Sequence, residues 1–223
     1  MKNIKKIVFI GIILQFIVIP IYSQNNDLNP GIDRWSIKTS LPDNPKKKTL
    51  TIDQLLSLKD PINSYSSNPY DTIRISNKVA GGLKEGDIIT VTGWLHLVAL
   101  ENDANHHRDG DYHIQIRNSQ VWSDSCLIVE VSYPDPRFVK DSALANSCGK
   151  VREFTRTNML KGKEPGTSGN KMTHPCHVTI TGQLFFDAVH LGASKKGTYR
   201  GKQGMKSYTC WEIHPVTSIK FAP

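Results

Sequence analysis

Apolar and polar residues alternate along five separate stretches of this chain, with the two-residue period of a strand that buries one face. From Asp87 to Leu100, Ile89, Val91, Leu95 and Leu97 fall on one side and Thr90, Thr92, Trp94 and His96 on the other. From Asp111 to Arg117, Tyr112, Ile114 and Ile116 alternate with Asp111, His113, Gln115 and Arg117. Cys126 to Ser132 sets Leu127, Val129 and Val131 against Ile128 and Glu130. His177 to Asp187 sets Val178, Ile180, Leu184 and Phe186 against Thr179, Thr181, Gln183 and Asp187, and Trp211 to Phe221 reads as a fifth strand. Gly93 and Gly182 interrupt two of these runs, where glycine permits a bend or bulge. Between the third and fourth runs, Leu144, Cys148, Val151 and Thr155 recur at helical spacing over Ala143 to Thr155, with Asp141 or Ser142 as N-cap. The order β-β-β-α-β-β is that of the OB-fold. The predicted fold is therefore mainly β: an OB-fold-like, five-stranded Greek-key barrel over residues 81–223, with one helix between strands three and four.

Residues 24–80 are rich in Asn, Pro and Ser and read as an N-terminal arm wrapped on the barrel, anchored by Trp35, Ile37, Leu41 and Ile73. Thr51 and Gln54 have the spacing of a capping box ahead of Leu55, Leu56 and Leu58, which predicts one or two helical turns. The glycine-rich stretch Lys161 to Lys171 reads as a mobile loop.

The first residues change the picture of where the chain works. Lys2, Lys5 and Lys6 precede an apolar run from Ile7 to Pro20, and Ser23 offers a cleavage point, so residues 1–23 read as an export signal. About 14 apolar residues fall short of the roughly 20 that span a bilayer. The expected product is exported, periplasmic or secreted, with no membrane span. The full chain has 28 basic and 20 acidic residues; removing the signal takes three lysines and leaves a charge of +5. Lys195, Lys196, Arg200, Lys202 and Lys206 lie in one acid-free stretch, Leu191 to Cys210, and account for that excess. Four cysteines in an exported chain favour disulfides. Of three possible pairings, parallel contact between strands three and five favours Cys126 with Cys210, leaving Cys148 with Cys176.

Two constellations carry candidate chemistry. In an OB-fold, ligands lie across strands two and three between the loops that follow strands one and four. Here that surface comprises Trp94, His96, His113, Gln115 and Arg117, walled by Glu101 to Gly110 and by the loop bearing Lys195, Lys196, Arg200 and Lys202. Cations with a few aromatics suit an anionic polymer such as nucleic acid or acidic polysaccharide, or another anionic envelope component. This makes a non-catalytic, cofactor-free binding module the first expectation, although lysine-rich loops also serve simply to solubilise. The second constellation is Asp111, His113, Asp187, His190 and His214, with Asp109 and Glu212 nearby. Imidazole and carboxylate are ligands for a divalent metal such as zinc or manganese, and a metal-activated water supports phosphodiester or other ester hydrolysis. The spacing matches no metal motif, and each residue has a bland role as a turn former or half-buried hydrogen-bonding group. Two imidazoles and a carboxylate within about 4 Å of one point would favour the metal-dependent hydrolase. A third alternative, an envelope protein-interaction module, requires an exposed apolar patch.

The elements Arg34-Trp35-x-x-Lys38-Thr39, Asp109-Gly110-Asp111-Tyr112-His113, Glu130-Val131-Ser132-Tyr133-Pro134-Asp135-Pro136, Phe185-Phe186-Asp187-x-x-His190 and Glu212-Ile213-His214-Pro215-Val216 resemble a group of secreted bacterial proteins with no assigned activity. The resemblance runs from about Arg34 to Phe221 and implies that this span works as one unit. It implies nothing about a reaction, and the Lys195 to Lys206 loop is longer than the connection usual in that group.

Overall fold

The computed structural model describes residues 34–61, 73–75, 82–103, 106–123, 125–188 and 200–223, and for 102, 103 and 106–108 the backbone alone. The export signal, His190, Lys195 and Lys196 lie outside the described residues. The chain is mainly β: α1 (Trp35–Lys38), β1 (Lys47–Thr49), α2 (Ile52–Leu56), β2 (Ile88–Asp103), β3 (His106–Arg117), β4 (Leu127–Val131), α3 (Ser142–Met159), β5 (Asn170–Phe186) and β6 (Trp211–Phe221). No helix among the described residues is long and apolar enough to cross a membrane.

The sheet is mixed and six-stranded, in the order β1-β2-β3-β4-β6-β5, and β5 pairs again with β2. Five strands thus form a closed circuit, with β4 and β6 parallel and the other contacts of that circuit antiparallel. The sixth strand was not expected. Lys47 to Thr49 of the arm runs parallel to Ile88 to Thr90, along the part of β2 that β3 does not reach. The core is filled by Ile89, Val91, Leu95, Tyr112, Ile114, Ile116, Val129, Phe186 and Trp211 among others, and α3 packs Leu144, Cys148 and Val151 against it. Asp141 caps α3, its carboxylate accepting from the Leu144 amide at 2.8 Å.

The arm packs on the sheet through anchors other than those expected, with Ile52, Leu55, Leu58 and Ile75 buried in the core. Ile37 is buried, but Leu41 and Ile73 are exposed. The capping box forms as its spacing suggests, Thr51 and Gln54 each accepting from the other's amide. It aims Ile52 and Leu55 into the core. Gly93 makes room for Ile52: a Cβ there would lie 2.5 Å from Ile52 Cδ1 and 2.8 Å from the Arg117 carbonyl.

Three expectations need correction. Alternation in β2 reverses at a bulge between Leu95 and Leu97, so Val98 faces the core while Leu97 joins Ala99, Cys126 and Met205 in a small outer cluster. The loop before β5 is held by hydrogen bonds, from the Leu100 amide to the Gly166 carbonyl and from the Gly166 amide to Asn170 Oδ1. Finally, all four cysteines are free thiols. Cys126 and Cys210 open neighbouring strands, but Cys126 packs in the outer cluster and Cys210 in the core, on opposite sides of the sheet. Cys148 sits mid-helix, whereas Cys176 lines a cleft with Asn158 to Lys161, about 15 Å further along α3 at 1.5 Å per residue. Burial pushes the Cys126 thiol up to about 12 and that of Cys148 to about 11, so neither is a nucleophile at neutral pH.

A candidate metal centre on the outer face of the barrel

The polar faces of β3, β4 and β6 meet on the side of the sheet away from the core. His113 stands directly opposite Glu130 across the β3–β4 ladder, and Ile213, between Glu212 and His214, pairs with Val129. The alternation that sends Ile114, Val129 and Ile213 inward therefore sends His113, Glu130, Glu212 and His214 outward to one place. Lys38 from α1 and Arg200 from the segment before β6 close over them, so that Lys38, Asp109, Asp111, His113, Glu130, Asp187, Arg200, Glu212 and His214 are each at most 7% exposed.

Glu130 is the centre of this cluster. One carboxylate oxygen is 2.9 Å from His113 Nδ1 and the other 3.2 Å from His214 Nδ1. His214 Nδ1 also lies 3.2 Å from Glu212, and its Nε2 is 3.0 Å from Asp111 and 3.2 Å from Ser132 Oγ. His113 Nε2 meets Gln115 Oε1 at 3.0 Å. Arg200 Nη2 binds Glu212 at 2.5 Å and Asp187 at 3.0 Å, while its buried Nη1 has no hydrogen-bond partner among the described residues.

The electrostatics follow from this crowding. Burial opposes charge on both imidazoles, but hydrogen bonds with Asp111, Glu130 and Glu212 raise the pKa of His214 well above its ordinary value, and Glu130 raises that of His113. Burial likewise disfavours the Glu130 anion, yet the two imidazoles hold its pKa well below the carboxylate range. Asp109 shows the reverse: burial and the neighbouring Asp111 push it well up, and Lys38, 3.8 Å away, is too distant to offset them. Lys38 stays charged despite burial, because Asp109, Asp187, Glu130 and Glu212 surround it.

Five buried carboxyls therefore face two permanent cations, Lys38 and Arg200. The raised pKa values of the two imidazoles and of Asp109 reflect that excess of negative charge. A divalent cation in place of the imidazole protons would carry the same two charges, and metal binding to such ligands releases protons in this way. Two donor sets have suitable spacing: Asp111 with Glu130 and His214, and Glu101 with His113 and Glu130, each with donor atoms within 4.8 Å of one another. Bonds of roughly 2 Å bring donors within about 4 Å, a small inward adjustment.

Of the residues expected to form a metal site, Asp111, His113 and His214 converge, while Asp187 belongs to the Arg200 ion pair and His190 lies outside the described residues. Glu130 and Lys38 were missed. The alternation placed Glu130 on the polar face, and pairing it with His113 in register would have found it.

The expected binding surface is divided. His113 and Gln115 are buried, because the chain from Arg200 to Met205 lies over them: the Gln115 side-chain oxygen accepts from the Lys202 amide at 2.6 Å and its nitrogen donates to the Lys202 carbonyl at 3.3 Å. Arg200 turns inward, and Lys202 pairs with Glu101 at 3.1 Å. Trp94 stacks on His177 at 4.7 Å and stands opposite Arg117, which donates to the carbonyls of Ser125 and Val121. His96 is buried, with Nε2 2.7 Å from the Ser119 carbonyl and its ring edge toward Trp122, over which Lys171 sits at 3.4 Å.

No protein-family model matches the chain, and no curated protein matches it. Among solved structures, Entamoeba histolytica asparaginyl-tRNA synthetase (AsnRS) aligns at 17% identity over 64% of this chain and 22% of that one, with a TM-score of 0.27. This chain spans less than a quarter of that protein, and a likeness of that size carries no argument about either fold or function.

Proposed function

We propose that this chain is an exported, divalent-metal-dependent hydrolase built on an OB-like Greek-key barrel. The circuit β2-β3-β4-β6-β5-β2, with its helix between β4 and β5, supports the barrel reading. The observation that carries the function is Glu130, whose two oxygens each meet an imidazole, with Asp111 and Glu101 completing the two donor sets. Asp111, Glu130 and His214, or Glu101, His113 and Glu130, would hold the ion, which when bound would supply an activated water for ester hydrolysis. Arg200 Nη1, which has no hydrogen-bond partner among the described residues, is a preorganised donor for negative charge that develops on the substrate.

Metal analysis of protein purified without chelator tests this, together with melting in added zinc or manganese and turnover of p-nitrophenyl acetate and bis-p-nitrophenyl phosphate. The expected result is bound metal, a raised melting temperature and turnover of one ester, all lost in Glu130→Gln and His214→Ala. Absence of metal, with melting indifferent to both ions, removes the proposal.

A second reading, an exported binding module for an anionic polymer, is favoured by the Trp94–His177 stack beside Arg117 and by Lys171 over Trp122. Aromatic faces interleaved with cations suit single-stranded nucleic acid. On that reading Trp94→Ala with Lys171→Ala abolishes retention on heparin or single-stranded DNA, and unchanged retention rules it out.

A further inference from the structure

A cavity of about 430 Å³ opens beside the metal cluster, lined by Leu100, Asp109, Tyr133, Phe138, Arg152 and Glu164 together with Gly110. Its volume lies in the range of small-molecule sites, and so does its make-up, an apolar wall with a few convergent polar groups. The wall is Leu100, Phe138 and the 40%-exposed ring of Tyr133, the two rings meeting edge to face at 6.0 Å. The position of Gly110, with φ of +72°, keeps side-chain atoms away from the Tyr133 ring.

The polar groups decide what fits. Arg152 lies 3.5 Å above the Tyr112 ring and 5.0 Å from that of Tyr133, with Nη1 donating to the Gly110 carbonyl at 2.9 Å. Glu164 accepts from Arg156 at 2.9 Å and lies 3.9 Å from Arg152. Asp109 faces the cavity as a second carboxyl group able to hydrogen-bond a hydroxyl. The Glu164 carboxylate disfavours a polyanion here, and Arg152 disfavours a cation. An uncharged ligand with one apolar face and many hydroxyls satisfies every wall: a sugar ring lays its C–H face on Tyr133, and its hydroxyls take up the carboxyl and guanidinium groups.

The cavity adjoins the cluster through Asp109. The Asp111 amide donates to Asp109 Oδ1 at 3.3 Å, and the Asp111 carboxylate is 3.0 Å from His214. We propose that this cavity is the subsite for an uncharged pyranose of a glycan, and that the bond cleaved is an acyl ester carried on that sugar. The second half rests on the hydrolase reading; the binding half does not. In the reaction a water oxygen bonds to the acyl carbon, the bond from that carbon to the sugar oxygen breaks, and a proton passes to the sugar oxygen, giving a carboxylic acid and a free hydroxyl.

Calorimetric titration of the full chain with cellotetraose, xylotetraose and chitotetraose tests the subsite, with a heparin tetrasaccharide as the charged comparison. The expected result is saturable binding of an uncharged tetrasaccharide, weakened about tenfold or more in Tyr133→Ala, on the scale of lost aromatic stacking. Tyr133→Phe retains affinity, and both variants keep the wild-type metal content and a cooperative melt. No binding at millimolar concentration, an affinity unmoved by Tyr133→Ala, or heparin displacing the neutral sugar overturns the proposal. Tyr133-dependent sugar binding in a protein that takes up no metal upholds the subsite and removes the hydrolase. Metal uptake without sugar binding does the reverse.

Discussion

His96 occupies the turnover point of β2, where the bulge reverses which side chains face the core. Its Nε2 sits 2.7 Å from the Ser119 carbonyl and so carries the donated proton, which leaves Nδ1 as the nitrogen that would take up a second. Burial lowers its pKa, chiefly by disfavouring the cation, and the nearby Arg117 and Lys171 add to this. The sign follows. An unfolded histidine binds its proton near pH 6.5, so the folded state is favoured above that value and loses this contribution as pH falls below it. His96→Gln should therefore flatten the decline in stability between about pH 7 and pH 5, measured as the wild-type-minus-variant difference in urea midpoint. A difference that does not change over that interval contradicts the assignment. Nothing in the alternation of Thr90, Thr92, Trp94 and His96 marks this residue, because it continues the polar set without a break. The reversal becomes visible only when β3 and β5 are laid beside it.

Gly93 shows the opposite case at the scale of a strand. The sequence marks it as a site for bending, yet pairing runs without a register shift from Ile88 to Leu95 against β5. Its purpose is clearance for α2. Gly93→Ala should cost about 1–3 kcal/mol in urea unfolding, as overpacking does. Gly149→Ala, on α3 with no heavy atom within 4 Å of the added carbon, should stabilise by about 0.5–1 kcal/mol through helix propensity. Equal effects at the two positions would show that clearance is not the reason for Gly93. The second marked glycine behaves as read, since register shifts in the β5–β6 ladder flank Gly182. Strand existence and order were legible because one face of each strand is apolar. Strand ends were not: β5 begins at Asn170, where pairing with β2 beyond the bulge extends it through polar residues. The unexpected β1 is three residues with no buried face, held by main-chain pairing that leaves no trace in composition.

Across the whole molecule, Arg34 joins the arm to the barrel. It grips both oxygens of Glu85 at 2.7 and 2.6 Å and donates to the Phe186 and Ile73 carbonyls, while Glu85 accepts from the Ile75 and Phe186 amides. Removing one partner of such a buried pair strands the other, at a cost of about 3–5 kcal/mol. Arg34→Met should lower stability by that amount and expose the arm to limited proteolysis, whereas a loss below 1 kcal/mol would mean that Glu85 is already compensated. The polar residues of the candidate site were legible as a set, since alternation puts Asp111, His113 and Glu212 on outward faces. Their centre was not, because Glu130 gains its role from register and Arg200 from turning inward out of a run that reads as a solvated basic loop. That geography bears on biosynthesis. β6 supplies Glu212 and His214 and is also the strand that bridges β4 and β5, so the ligand cluster and the sealed core arise in one late event. Until β6 docks, a nascent chain lacks Glu212 and His214 as well as the strand that joins β4 to β5, so the buried charges and the core are completed together.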